Sequence, residues 1–557
     1  MLRNGLLGTA LLILSSSVLL RAPDLIGQPT FEDIAERAGA HFVLRNGATG
    51  KKHLIEPMTG GVAILDYNND GWPDLYFVNG ATVPGLEKID ETYSNRLYRN
   101  NADGTFSDVT RQAGVGGTGY SMGVAVGDYN NDGSPDIFVA GVGVNTLYRN
   151  RGDGSFEDAT AKAHLSNANS SRRLWSVAAG WFDYDADGKL DLFVVNYLTW
   201  NPENERVCPN ATAGYRIYCD PRYYEGLVNS LYHNNGDGTF TDVSAQSGIG
   251  AHKGKGMSAT FADYDGDGKL DIFVTNDTMP NFLFHNEGGG RFRETALEAG
   301  VALNDNGQPV SSMGVDFRDY NNDGRDDLII TALAGESFPV FRNLGSGIFK
   351  GATFETGVAR AVSSSSGWST GFFDFNNDGY KDLFTANGDV QDNVEVYSSR
   401  RSRQPNLMLM NRKNGTFQDC TAQAGAGFKQ LGLHRGAAFG DLDRDGKIDI
   451  VVTRLNEPAE ILRNITGTNN NWLTLLLEGR KSNRDGIGAR VEVADASGLK
   501  QWNHVTTAAG YASSSDRALH FGLGRSTVAR VAILWPSGQR QKLENVHADQ
   551  VLKVREP

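Results

Sequence analysis

A nine-residue pattern, Asp-x-(Asp/Asn)-x-Asp-Gly-x-x-Asp, recurs seven times in this chain, starting at Asp66, Asp128, Asp183, Asp263, Asp319, Asp374 and Asp441. Oxygen-bearing side chains fall at positions 1, 3, 5 and 9 around a fixed glycine, and the position 7 carbonyl can add another oxygen. A hard cation such as calcium takes about six to eight oxygens in a flexible cage, and glycine permits the sharp turn that folds them inward. The first copy offers Asp66, Asn68, Asp70 and Asp74 with the Trp72 carbonyl. The second offers Asp128, Asn130, Asp132 and Asp136 with Ser134, and the third Asp183, Asp185, Asp187 and Asp191 with Lys189. Asp263, Asp265, Asp267 and Asp271 with Lys269 form the fourth; Asp319, Asn321, Asp323 and Asp327 with Arg325 form the fifth. The sixth has Asp374, Asn376, Asp378 and Asp382 with Tyr380, and the last Asp441, Asp443, Asp445 and Asp449 with Lys447. One copy would be a weak signal, because Asp-Gly turns are common. Seven in one register point to metal.

The copies lie 62, 55, 80, 56, 55 and 67 residues apart, so the underlying unit is 55–60 residues with two insertions. A repeat of this size suits a four-stranded propeller blade. The helix–loop–helix calcium hand is excluded on two grounds. It needs a Glu at loop position 12, where the first three copies have Phe77, Val139 and Val194. Its loop is also flanked by helices, whereas Gly61–Leu65 and Leu75–Val78 read as short apolar strands.

A second motif follows each loop. Asn95-Arg-Leu-Tyr-Arg-Asn100 precedes Asp103-Gly-Thr-Phe106, and the same pair recurs at Asn145–Asn150, Asn229–Asn234, Asn281–Asn286 and Asn406–Asn411. An apolar strand, a glycine turn and a strand opening with Phe make a hairpin. Each unit therefore has two hairpins. The ends are offset: Thr30-Phe-Glu-Asp33 lacks its preceding partner, and Ile461-Leu-Arg-Asn464 lacks its successor. Pairing them would close the ring and leave no open sheet edge. The expected fold is all-β, a seven-bladed β-propeller over 28–466 with a C-terminal β-rich domain over 468–557.

These units resemble the FG-GAP (VCBS-type) repeats of integrin α-subunit propellers, and the chain as a whole resembles the cartilage acidic protein family. The likeness continues through Asn471-Trp-Leu473, Asn483-Arg-Asp-Gly-Ile-Gly-Ala489, Tyr511-Ala-Ser-Ser-Ser515, His520-Phe-Gly-Leu-Gly524 and Trp535-Pro-Ser-Gly538, which look like an ASPIC/UnbV domain. The resemblance implies Ca²⁺ in the loops, up to seven ions, and an extracytoplasmic setting. It supplies no activity. The chain departs from integrins in having all seven loops filled.

The net charge of −13 argues against nucleic-acid binding, which needs a basic footprint. The loops carry 24 of the carboxylates, and seven calcium ions would bring −13 to +1. At the N-terminus, Arg3, the apolar run Leu6–Leu20, Arg21 and Pro23 have the length of a signal peptide or short anchor over residues 1–24. Localisation is expected to be secreted, periplasmic or cell-surface, with membrane contact only through that segment. Cys208 and Cys219 are expected to form a disulfide, and Cys420 a buried apolar position.

That disulfide lies in an insertion over 197–227 that also holds Tyr197, Trp200, Tyr215, Tyr218, Tyr223 and Tyr224. Exposed, these rings suit recognition of a sugar or protein; packed, they cap the propeller. A second insertion over 388–405, with Arg400, Arg401 and Arg403, reads as a solvated loop. Arg151-Gly-Asp153 falls where other repeats have a hairpin turn and is read as one. In the C-terminal domain, Asn483, Arg484, Asp485, Ser513, Ser514 and Ser515 lie in turns and can present a binding face.

No nucleophile elbow, zinc-protease motif or phosphate loop occurs, and the ten histidines are scattered with no paired base implied. The expected function is an exported calcium-binding binding, adhesion or scaffold protein with a protein or glycan ligand, and no catalytic residues. The alternative is a calcium-dependent carbohydrate-active lyase or hydrolase using the propeller channel. The contents of that channel discriminate the two.

Overall fold

Apolar runs too short for helices, each ended by an Asp-Gly turn, become strands. The computed structural model describes residues 27–166, 174–209 and 214–557, so the N-terminal apolar segment lies outside the described residues. The first repeat shows the local rule. Val62–Leu65 and Asp74–Phe77 form a hairpin in which Leu65 pairs with Asp74, so the acidic loop is its tip. Arg96–Asn100 and Phe106–Asp108 form the second hairpin, joined by Asn100 opposite Phe106. All residues of the two inner strands are buried, because neighbouring sheets cover both faces.

The same four-strand antiparallel order recurs in sheets within 120–158, 176–242, 256–294, 315–351 and 367–419. A further sheet combines His434–Gly440, Asp449–Arg454 and Glu460–Asn464 with Phe31–Asp33 from the other end of the chain. Phe31 pairs with Asn464 and Asp33 with Leu462. Among the described residues these make seven four-stranded sheets, and their first strands lie against one another in a closed circle. The molecule is an all-β propeller. At the seam between the last sheet and the first, a Cβ on Gly436 would meet the Gly60 carbonyl at 2.2 Å. Only glycine allows that approach.

Beyond the ring, Asn471–Glu478 pairs antiparallel with Leu519–Gly524 and parallel with Gln550–Arg555. A second sheet orders Lys500–His504, Arg490–Asp495, Val528–Leu534 and Arg540–His547. Leu475, Val493 and Trp535 share one apolar cluster with Trp181 and Leu190 of the propeller. The core of this part is thus continuous with that of the ring.

Candidate metal loops and the filled channel

Each acidic loop is shaped by its own aspartates. In the first, Asp66 accepts hydrogen bonds from the Asp70 and Gly71 backbones at 3.0 and 2.9 Å, and Asp70 accepts from Trp72 N at 2.9 Å. Asp128, Asp374 and Asp441 repeat the bond to the loop glycine five positions on. Short Asx-type bonds like these hold carboxylates on the concave side of a tight turn.

Position 9 closes each site from below. Asp74, Asp136, Asp191, Asp271, Asp327, Asp382 and Asp449 are all buried. Burial pushes Asp74 up to about 8 and Asp271 to about 9, although backbone N–H groups of Asn100 and Asn286 oppose the rise. At position 1, burial and neighbouring carboxylates raise Asp128, Asp183, Asp374 and Asp441 to about 7. A cation held in the loop would supply the positive charge these carboxylates lack. The donor set fits one: all are oxygens, and Asp136 Oδ2 is buried with no protein hydrogen bond.

Three ligand oxygens come within 4.8 Å of one another for Asp183, Asp185 and Asp191, for Asp263, Asp265 and Asp267, and for Asp441, Asp443 and Asp449. These are the copies with four carboxylates. In the first and fifth copies, which have Asn at position 3, the amide donates to a carboxylate of its own loop, Asn68 Nδ2 to Asp70 Oδ2 at 2.8 Å and Asn321 Nδ2 to Asp327 Oδ2 at 3.0 Å. Position 7 contributes more than a carbonyl: Lys447 Nζ lies 2.6 Å from Asp445 Oδ2 and Arg325 Nη2 lies 2.8 Å from Asp323 Oδ2. Lys189 and Lys269 pair likewise with Asp187 and Asp267.

The expectation of no paired base is corrected: His53 pairs with Glu205, His434 lies 3.4 Å from Glu460 and His504 lies 3.2 Å from Asp326, and two more histidines stand at the acidic loops. His233 Nδ1 lies 3.4 Å from Asp185 and 3.3 Å from Asp191, and His285 Nδ1 lies 3.4 Å from Asp265 and 3.2 Å from Asp271. Asp191 lifts the His233 ring above its usual range through their hydrogen bond. Other repeats place Arg99, Arg149, Arg342, Met410 or Arg463 at this register, and the substitution was the legible signal.

Sequence reasoning also passed over the last Asn of the Tyr-Arg-Asn motif. Its backbone N–H donates to the position 9 aspartate, 2.7 Å for Asn100 to Asp74. Its Nδ2 reaches the next blade: Asn150 to Tyr67 O, Asn234 to Tyr129 O, Asn286 to Tyr184 O and Asn343 to Tyr264 O. Asn411, Asn464 and Asn100 continue it to Tyr320 O, Phe375 O and Leu442 O, which completes the circle. One residue type thus joins the buried carboxylate of each loop to its neighbour.

The face bearing the acidic loops is covered by the C-terminal sheets. Asp128 N donates to Asp485 Oδ2 at 2.7 Å, Arg484 N to Asn131 Oδ1 at 2.8 Å, and Lys381 Nζ to Trp502 O at 2.9 Å. His520 Nε2 meets Asn377 Oδ1 at 2.7 Å. From this cap, residues 506–516 descend into the propeller axis. Ser514 exchanges backbone bonds with Val62 O and Ile64 N, Ala512 O accepts from Val124 N, and Gly510 exchanges bonds with Val315. Thr507 Oγ1 donates to Val126 O, and Asp516 N to Phe439 O. The channel is therefore filled from this side by backbone that pairs with the innermost strands. Asn483, Asp485, Ser513, Ser514 and Ser515 are buried, which corrects their reading as a binding face; Arg484 alone of that set is substantially exposed.

On the opposite face, Cys208 and Cys219 form the expected disulfide, with a Cα–Cα distance of 5.3 Å. The aromatic insertion splits. Tyr197, Trp200 and Tyr218 are buried, while Tyr215 and Tyr223 are 49 % and 54 % exposed. The second insertion is not simply solvated: Asp389, Ser402 and Gln404 are buried, and Arg400 pairs with Asp389 at 3.1 Å. Gly152 adopts φ 74° in the Arg-Gly-Asp stretch, and Ser155 N donates to Asp153, as a hairpin turn requires. Cys420 is buried. Among the described residues no helix is long and apolar enough to cross a membrane.

Acidic loops tipping the inner hairpins of a closed propeller, beneath a β-rich cap, define a class of repeat protein. The chain belongs to the FG-GAP-like repeat family, whose model matches 66–139, 128–194, 222–274, 263–330 and 319–385, and it carries an ASPIC and UnbV domain at 479–557. It is 25 % identical over 506 residues to cartilage acidic protein 1 of Mus musculus, spanning 86 % of this chain and 70 % of that protein. The Homo sapiens protein of that name is also 25 % identical, spanning 86 % and 69 %. Among solved structures, an Agrocybe aegerita lectin described for recognition of non-reducing terminal N-acetylglucosamine is similar at a TM-score of 0.39 and 17 % identity, covering 72 % of this chain and 87 % of that one.

Proposed function

We propose that this chain is an exported, calcium-binding propeller that serves as a cell-surface or extracellular binding scaffold. The seven sheets are read as seven blades over 28–466, with a second domain over 468–557 docked on the loop face. The observation that carries the binding reading is the filled axis: residues 506–516 occupy, from the loop side, the axial space in which a channel site would have to lie. Up to seven Ca²⁺ ions are assigned to the loops, held by the oxygens of positions 1, 3, 5 and 9. When bound, they neutralise carboxylates that repel one another, and so stiffen both the ring and the surface on which the cap rests.

Export is supported by the Cys208–Cys219 disulfide, since such bonds persist mainly in oxidising compartments. It also places the loops where calcium is plentiful enough for sites of modest affinity. The test is a calcium titration of the purified chain by calorimetry, with capture of protein or glycan ligands assayed in calcium and in chelator. Ligand capture with no turnover, lost in chelator, is the expected result. A chain that binds no calcium, or that cleaves a glycan, contradicts it.

A further inference from the structure

The other end of the propeller axis, where inner strands begin and second strands end, holds a cavity of about 550 Å³. Its apolar wall comes from Met58, Met257, Met313 and Trp368. Trp368 is fixed from behind, with the Arg435 guanidinium 3.9 Å from the ring and Tyr511 edge-on at 5.0 Å. The roof is the disulfide-stapled insertion, with Tyr218 inside and Tyr223 at the rim.

The polar wall is unusual. Asp277 is buried, and its Oδ2 accepts the Tyr197 hydroxyl at 2.6 Å, but Oδ1 takes no hydrogen bond from any described residue. Next to it, Thr278 Oγ1 is buried without a partner. Buried polar groups are almost always satisfied, so an acceptor and a hydroxyl left open side by side mark a place for a ligand's polar atoms.

The charges balance. The cavity is lined by the acidic Asp220, Asp277 and Asp389 and the basic Arg206, Arg222 and Arg400, with Arg400 3.1 Å from Asp389 and Arg222 2.8 Å from Asp220. An ion of either sign gains little here. A molecule with hydroxyls on one face and C–H groups on the other matches both walls, and the volume lies within the usual range of about 300–1,000 Å³ for small-ligand sites. We propose that this cavity binds a neutral sugar unit, its hydroxyls met by Asp277 and Thr278 and its apolar face by Trp368 and the methionines. Tyr223, exposed at the rim beneath Arg206 at 4.6 Å, is placed to carry the adjoining unit of a longer glycan. This deepens the binding reading above and rests on it.

The experiment uses the full calcium-treated chain and neutral hexoses and their disaccharides, followed by calorimetry and intrinsic tryptophan fluorescence. In Asp277→Asn, keeping the bond donated by the Tyr197 hydroxyl turns the amide oxygen toward Tyr197 and places the amide nitrogen, a donor, at the open position. That variant and Thr278→Val are expected to weaken binding at least about tenfold, while their melting temperatures stay near the parent's. Tyr223→Ala is expected to weaken disaccharides more than hexoses. Sugar binding unchanged in all three variants overturns the assignment to this cavity while leaving the scaffold reading intact. No binding at about 10 mM, far above a nanomolar or micromolar dissociation constant, overturns the sugar proposal. Cleavage of a disaccharide that Asp277→Asn abolishes upholds the site and overturns the binding-only function.

Discussion

Tyr511 donates its hydroxyl to the Met58 carbonyl at 2.6 Å, across 453 positions of sequence. The bond lies in the propeller axis, where Tyr511 also packs against Trp368. It joins the C-terminal cap to the chain segment that leads into the first blade. The cap is therefore part of the ring's core, and the two parts should lose structure together.

Tyr511→Ala empties a fully buried aromatic site and removes a hydrogen bond. Large-to-small changes of this kind cost about 3–5 kcal/mol. Denaturant unfolding of the parent should show one transition for cap-reporting Trp472 and ring-reporting Trp181, and the variant should shift both. Separate transitions in the parent would refute the shared core.

Chelation tests the loops. Ligand that binds only the folded state stabilises it by about 2.7 kcal/mol per site at one hundred times the dissociation constant. Chelator should lower the melting temperature, and calcium should restore it. Asp445→Ala, in a loop whose Gly446 abuts Trp472 of the cap, should reduce the calcium stoichiometry and perturb Trp472 fluorescence. A melting curve indifferent to chelator removes calcium from the loops.

Ring closure depends on three residues of the N-terminal strand. Phe31 is buried against Phe375 and Phe428, with ring centroids 5.6 and 5.4 Å away. Phe31→Ala should cost about 3–5 kcal/mol, and deletion through residue 35 should expose the edge of Glu460–Asn464 and promote aggregation. Light scattering and thermal melts report both. If deletion through residue 35 behaves like deletion through residue 24, the closure is not what holds the ring.

The last residues give a pH signature. Burial alone would raise the Glu556 carboxyl, but the Ser537 hydroxyl and the backbone N–H groups of Arg480, Lys481 and Ser482 bring it down to about 2. A depressed carboxyl adds stability above its unfolded value near 4.5, and that stability is lost as the pH falls through about 2. Glu556→Gln should be less stable than the parent at pH 7, and the difference should shrink steadily below pH 4.5. A difference that does not change between pH 7 and pH 3 would show that the carboxylate charge plays no part.

Much of the molecule was legible in one dimension because its rules are local. An Asp-Gly turn needs only nine residues to fold a cage, and a hairpin needs only a strand, a turn and a strand, so the loops and the four-strand order around Asp66 and Asn100 follow from residue type and spacing. The family match and the propeller rest on the same local chemistry. The filled axis was different. Ser513, Ser514 and Ser515 look like turn residues from their neighbours in sequence, and only the ring's innermost strands, hundreds of positions away, supply the backbone groups that bury them. The seven bridging asparagines were visible as a repeat, but their role lies in a carbonyl one blade over. Tyr218 and Tyr223 share one insertion and one composition, yet one is buried and the other half exposed. Sequence sets which groups a segment can offer. Which of them meet a partner depends on surfaces brought together by folding, and those leave no periodic trace in the chain.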